Sequence, residues 1–217
     1  LHQALLRHAR RAGTTLVTDA RVTGLSRGAD GWAIATAAGA FAAGRIVDAA
    51  GAWADDIAAL AGAAPLGLVP LRRTIVVAET DPPAPADLPI VMDLGGSFYF
   101  RPDGGRLWLS PHDETPDVAQ DVQPDELDIA ITLDRFEHVC DWPVRRLGAR
   151  WAGLRTFAPD RLPVLGPDPL VPDFFWCAGQ GGWGIQTAPA ASDLAAALVL
   201  GQSPPLDPAL YRPSRFG

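Results

Sequence analysis

The sequence predicts a mixed α/β (α+β) protein, with helix and strand alternating near both ends and an antiparallel sheet carrying one helix in the middle. Three observations carry this prediction. Helix-like and strand-like apolar spacings alternate over the first sixty residues, and β-rich segments punctuated by glycine pairs succeed one another from Leu66. Near the end, a buried-type strand enters a glycine cluster and then an apolar helix. The expected division is 1–68 with 145–217 as one unit and 69–144 as the other. The 217 residues, 48% of them hydrophobic and 20% charged, suffice for one large or two small domains with real cores.

Each element has its own warrant. Leu1 to Ala12 places Leu1, Ala4, Leu5, His8, Ala9 and Ala12 on one helical face and Gln3, Arg7, Arg10 and Arg11 on the other, and Gly13 ends it. Thr14 to Leu25 is rich in β-branched residues and forms a hairpin with Trp32–Thr36 across the turn-forming Arg27-Gly-Ala-Asp-Gly31. Ala38-Gly39 turns the chain again. Arg45-Ile-Val-Asp48 is a short buried strand, and a helix runs from Gly51 to about Ala61. Val69–Glu79, Ile90–Asp93, Ser97–Arg101 and Arg106–Ser110 are successive strands, separated by Gly95-Gly96 and Asp103-Gly104-Gly105. Pro124 to Cys140 carries apolar residues at helical spacing with acids in its first turn. Residues 143–157 return to strand, Phe174–Cys177 is a buried strand, Ala188–Leu200 an apolar helix, and the Pro-rich tail from Gln202 is irregular.

Composition narrows the chemistry. With 25 acidic against 18 basic side chains, a net charge of -7 gives no electrostatic footprint for nucleic acid or an anionic membrane. No lysine or asparagine occurs, so Schiff-base and phosphate-loop lysines are excluded. Cys140 and Cys177 match no zinc or redox spacing, and the four histidines form no metal motif, so no protein-built metal site is expected. No apolar run is long enough to span a membrane. The cytoplasm is the default location.

Several motifs read as structure. Gly24-Leu-Ser26-Arg-Gly28 has the letters of a nucleophile elbow, but a hairpin turn follows it rather than a helix. Ser110, His112 and Asp113 are loop neighbours, a poor arrangement for a Ser-His-Asp relay. Gly179-Gln-Gly-Gly-Trp-Gly184 fits Gly-x-Gly-x-x-Gly after a strand and before a helix, yet no second strand with an acidic ribose ligand follows, so it is not the primary pyrophosphate fingerprint. Its bare backbone ahead of a helix can still approach a planar or anionic ligand closely. Arg155 lies in an apolar setting and needs an anion, either a ligand carboxylate or an acid such as Asp160. Tyr99 and Arg101 share one strand face, Phe98 and Phe100 the other.

Val47-Asp-Ala-Ala-Gly-Ala-Trp53, Trp151-Ala-Gly-Leu-Arg155 and Ala178-Gly-Gln-Gly-Gly-Trp-Gly-Ile-Gln-Thr-Ala-Pro189 together resemble the D-amino-acid oxidase/glycine oxidase/sarcosine oxidase (DAO) family of FAD-dependent oxidoreductases. The resemblance covers nearly the whole chain. It implies that 1–68 and 145–217 are part of a doubly wound FAD-binding domain and 69–144 an antiparallel substrate domain. The family's first strand, glycine turn and acidic ribose ligand would lie upstream of residue 1. A homo-oligomer or a complementing N-terminal half would then cover the exposed face.

The resemblance further implies an amino acid or amine substrate, FAD as cofactor, and hydride transfer from the amine-bearing carbon to flavin. Arg155 matches the arginine that grips the substrate carboxylate, with Tyr99 assisting. Flavin contacts are implied at Val22, Ala50, Gly51 and Trp53, and at Gln180, Gly181, Gly182, Trp183, Gly184, Ile185 and Gln186. Gly182 stands where glycine oxidase places a second substrate-facing arginine, Gln186 where sarcosine oxidase places a lysine, and the flavin-tethering cysteine has no counterpart. Two alternatives are a 2-hydroxy-acid or polyol-phosphate dehydrogenase of the same fold, and a non-catalytic assembly module without flavin.

Overall fold

A computed structural model describes residues 1–217. In chain order the elements are α1 (His2–Arg11), β1 (Val22–Gly28), β2 (Gly31–Thr36), β3 (Gly39–Ala43), β4 (Ile46–Asp48), α2 (Ala54–Ala61), β5 (Val69–Thr80), β6 (Val91–Met92), β7 (Tyr99–Asp103) and β8 (Arg106–Ser110). Then follow β9 (Thr115–Pro116), α3 (Glu126–Val139), β10 (Val144–Phe157), β11 (Val164–Pro167), β12 (Phe174–Ala178) and α4 (Gly184–Val199). Short 3₁₀ turns occupy Gly51–Trp53 and Pro213–Phe216. The chain is a mixed α/β protein and divides into two compact units, Leu1–Leu68 with Thr156–Gly217, and Val69–Arg155.

In the first unit, β1, β2 and β3 form an antiparallel meander, and β11, β12 and β4 a second sheet in which β12 and β4 run parallel. Its core joins Trp32, Ala54, Ala58, Val164, Phe174 and Trp176, so the alanines of α2 share one apolar cluster with the aromatic residues of β2 and β12. The strand expected from Thr14 begins only at Val22. The register explains this, because Val22 already pairs with Thr36, the last residue of β2, and nothing remains for Thr14–Val17 to pair with. The alanine-rich β3 is a strand where the sequence predicts only a turn, and its form comes from pairing with β2 rather than from its own propensity. β11 gives no strand signal in the sequence because prolines bracket it. The helix expected from Ala188 starts one turn earlier, at Gly184, with Pro189 inside it. The apolar stripe of α1 packs into no core: none of its residues is buried.

In the second unit the sheet order is β10-β5-β8-β7-β6, with β9 paired to β5. The antiparallel unit continues along β10 to Arg155, beyond residue 144. Alternation sorts its side chains into two faces. Val76, Ala78, Phe98, Phe100, Leu107 and Leu109 form one core with Ile129 and Phe136 of α3, where Phe100 and Phe136 meet edge to face at 5.2 Å. The Asp125 carboxylate accepts from the Leu127 amide at 2.8 Å and caps α3. The pairings of Val77 and of Arg101 with Trp108 put these three, together with Arg73, Ile75 and Tyr99, on the opposite face.

Candidate functional site

In the first unit the candidate residues gather at two places. Val22, Ala50 and Trp53 line one cavity of ≈ 610 Å³ together with Arg21, Asp56, Ile57, Ala59 and Leu60. Two motifs distant in sequence, Ala20–Gly24 and Val47–Trp53, therefore share one concavity. Gly51, with φ +59°, opens the turn that feeds α2. Gln180, Gly181, Gly182 and Trp183 form the connection from β12 to α4, whereas Gly184, Ile185 and Gln186 belong to the first turn of α4 itself.

That connection is held tightly at its start and open at its end. The Gly181 amide donates to the Thr156 carbonyl at 2.8 Å, and Gln180 bridges to Phe157. At φ +53°, a Cβ on Gly181 would stand 2.3 Å from the Phe157 ring, so only glycine lets the loop lie against this aromatic. Arg161 stacks its guanidinium on the same ring at 4.0 Å. Trp183 and Ile185, by contrast, are 56% and 82% exposed, and Trp183 lines a separate apolar cavity of ≈ 280 Å³ with Leu165, Leu194 and Tyr211.

Asp48 ends β4 just before the glycine turn. Its side chain is buried, one oxygen accepts from the Ala50 amide at 3.0 Å, and the other has no partner. Burial, reinforced by the Asp55 charge, raises its carboxyl from an ordinary 3.8 to about 7, against the lowering effect of the Ala50 bond. The Cys177 thiol is pushed up by burial and by Asp48, and accepts from Gln180 Nε2 at 3.7 Å, which makes it a poor nucleophile.

In the second unit, one sheet face combines cations and aromatics. Trp108 and Trp151 pack edge to face at 5.0 Å, and Arg101 stacks on Trp108 at 4.0 Å. Tyr99, half-buried, meets His112 edge to face at 5.5 Å. Arg155 is half-buried. Its alternative acidic partner is taken, since Asp160 accepts from Arg215 Nε at 2.6 Å and Nη2 at 3.0 Å. Ser110, His112 and Asp113 form no relay: Asp113 accepts from the amide and hydroxyl of Thr74, and His112 Nδ1 meets the Gly96 carbonyl.

Arg73, a neighbour of this set, is not among the residues that the sequence singles out. Its side chain is 4% exposed in β5, Nε donates to the Asp113 carbonyl at 2.8 Å, and Nη2 reaches Glu114 at 3.3 Å. Burial lowers its pKa, and the Arg155 charge lowers it further, while Tyr99 and Asp113 oppose both. The one signal available in the sequence is a second arginine inside an otherwise apolar strand.

The family model described as FAD dependent oxidoreductase (DAO) matches residues 1–198. The chain belongs to that family. It is 31% identical to mouse dimethylglycine dehydrogenase across 100% of this chain and 27% of that one. It is 29% identical to the glycine oxidase of Pseudomonas aeruginosa across 83% of this chain and 48% of the other. Among solved structures, glycine oxidase from Geobacillus kaustophilus superposes with a TM-score of 0.84 at 27% identity, covering 98% of this chain and 56% of that one. L-proline dehydrogenase from P. horikoshii has the same fold, with a TM-score of 0.84 at 24% identity, over 99% and 58%. The family member thus spans between a quarter and three fifths of these relatives.

Proposed function

We propose that this chain provides the substrate-binding sheet and part of the flavin-binding domain of an oxidoreductase acting on a small amino acid or secondary amine. The observation that carries the reading is Arg155: a half-buried guanidinium, while the acid nearest to it in the sequence, Asp160, is bound by another arginine. Its planar fork suits a carboxylate bidentately, and the Tyr99 hydroxyl can add a donor. The names of two relatives, glycine oxidase and dimethylglycine dehydrogenase, refer to amino acids that carry such a carboxylate.

The first unit fits FAD on two grounds. Val22, Ala50 and Trp53 share one concavity, and the Gly181 backbone lies where a side chain would collide with Phe157. These residues, with Gly51 and the stretch Gln180 to Gln186, would hold the cofactor. FAD, when bound, supplies a two-electron acceptor for a hydride.

The chain's own residues then position the substrate. Arg155 fixes the carboxylate end, Tyr99 restricts rotation about it, and the aromatic wall of Trp108 and Trp151 excludes water from the apolar side. Such a site works by orientation and needs no general base, in keeping with Asp113 and His112 being engaged elsewhere.

The test is an absorbance spectrum of the intact protein between about 300 and 550 nm during FAD titration, followed by assays with glycine, sarcosine, D-amino acids and 2-hydroxy acids. A saturable flavin shift and turnover of amines are expected. Turnover confined to hydroxy acids or polyol phosphates would overturn the substrate assignment, and no flavin binding would overturn the whole reading.

A further inference from the structure

The face that carries Arg155 and Tyr99 carries a second cation whose hydrogen-bonding is incomplete. Arg73 is held at two points: Nε on the Asp113 carbonyl at 2.8 Å and Nη2 on Glu114 at 3.3 Å. Its third nitrogen, Nη1, is buried and has no hydrogen-bond partner. The nearest acid, Glu114, meets Nη2 rather than Nη1, and the next does not supply a partner either. Asp113 sits 3.8 Å from the Nε of Arg73, and its two oxygens are taken by the amide and hydroxyl of Thr74 at 2.8 and 2.9 Å. The remaining acids nearby, Asp117, Asp125 and Asp128, gather around Arg72 on the other side of β5.

Arg155 and Tyr99 lie within electrostatic reach of the Arg73 guanidinium. Two guanidiniums that repel each other, one of them deeply buried, are costly together, and the single carboxylate beside Arg73, Glu114, reaches only Nη2 and leaves Nη1 open to a second anion. A guanidinium cannot shed its proton to relieve that cost. Nη1 is screened from water and the Tyr99 side chain interacts with the same guanidinium, so an anion that binds Nη1 joins Tyr99 beside it.

We propose that Arg73 is a second carboxylate-binding residue beside Arg155, and that the substrate is a dicarboxylate: an amino or imino acid with a second acidic group. This deepens the amino-acid reading and rests on Arg155 as the first carboxylate anchor. Arg155 holds the carboxylate common to all substrates, and Arg73 selects those with the second.

Calorimetric titration of the intact, FAD-loaded protein with acetate and propionate against malonate, succinate and glutarate tests this. At least one dicarboxylate should bind about tenfold or more tightly than either monocarboxylate. In Arg73→Gln that preference should vanish while monocarboxylate affinity stays within about twofold, and in Arg155→Gln both classes should weaken. Arg73→Lys, which keeps a charge but loses the fork, should retain a reduced preference. Thermal unfolding checks that the variants are folded; should Arg73→Gln fail to fold, the wild-type selectivity and Arg73→Lys decide. Equal binding of both classes by the wild type, or an equal loss of both in Arg73→Gln, would overturn the Arg73 assignment and leave Arg155 as anchor. Binding of neither class would overturn both.

Discussion

Both units bury ionisable side chains with an unmatched polar atom: Asp48 Oδ2 in the first, and Arg73 Nη1 with the adjacent Arg72 Nε in the second. Their chemistry sends them different ways. Asp48 can pick up a proton, and its carboxyl, raised to about 7, does so near neutrality. Arg73 stays charged across the whole accessible pH range, so its unmatched donor needs an anion. The first unit therefore accommodates a flaw by titration, and the second keeps it as a binding determinant. The same contrast runs through the two candidate sites: the first unit offers backbone, in a glycine connection packed on Phe157, whereas the second offers long side chains on one sheet face.

The comparison is broken most directly at Arg155. Arg155→Met removes the fork and leaves an apolar side chain of similar length. Loss of a partly buried charge-assisted pair costs about 4 kcal/mol, so kcat/KM for an amino acid should fall about a thousandfold. The matching amine without a carboxylate should change little. Steady-state kinetics on the acid and amine pair measures it; equal losses on both would show that Arg155 serves the fold.

Asp48→Asn comes next. The folded carboxyl titrates at about 7 and the unfolded one near 3.8, so the native state holds the proton more tightly. Wild-type stability should thus decline as pH rises from about 4 to 7 and level off above that. The Asn variant lacks this decline. It should match the wild type near pH 4 and exceed it at pH 8 by about 2–4 kcal/mol, since each tenfold difference in proton affinity between the two states is worth roughly 1.4 kcal/mol. Urea unfolding at several pH values would reveal it, and a difference independent of pH would show that Asp48 is not raised.

What was legible in the sequence follows the same division. The faces of β7 could be read from alternation alone, and Phe98 and Phe100 do enter the core while Tyr99 and Arg101 turn away from it. α3 was readable because its apolar spacing and acidic first turn agree, and the structure adds the Asp125 cap. Less legible were elements made by their partners, such as β3 and β11, whose residues favour no strand on their own. The gathering of Val22 with Ala50 and Trp53 was implied by family resemblance, since no local pattern joins residues so far apart. Arg73 escaped because a buried arginine resembles a surface one in sequence; only the pairing of β5 shows which way it points. Its neighbour Arg72 donates Nη2 to Asp128 at 2.9 Å and, like Arg73, keeps one buried nitrogen, Nε, without a hydrogen-bond partner.

Gly181→Ala sharpens the contrast between backbone and side-chain sites. The new Cβ would meet the Phe157 ring at 2.3 Å, in a left-handed conformation that alanine resists. Strain and displacement together should cost about 3 kcal/mol. Flavin affinity should fall with it, while carboxylate selectivity at the other unit's arginines keeps its wild-type ratio. FAD titration by fluorescence beside carboxylate calorimetry separates the two. A fall in flavin affinity without any loss of stability would mean that the loop tolerates the methyl and that the glycine is needed by the ligand alone.

Asp125→Ala has the smallest expected effect and asks whether the two faces of the antiparallel sheet are independent. The carboxylate caps α3 through the Leu127 amide, and it also stands 3.9 Å from Arg72. Loss of a cap costs about 1 kcal/mol, and the distant ion pair adds little. α3 packs on the face formed by Phe100 and Leu109, whereas Arg73, Tyr99 and Trp108 lie on the opposite face. A small fall in the unfolding midpoint with unchanged carboxylate affinity is therefore expected. A coupled loss of affinity would mean that α3 sets the position of β5 and, through it, of Arg73, so that the binding face depends on the packing behind it.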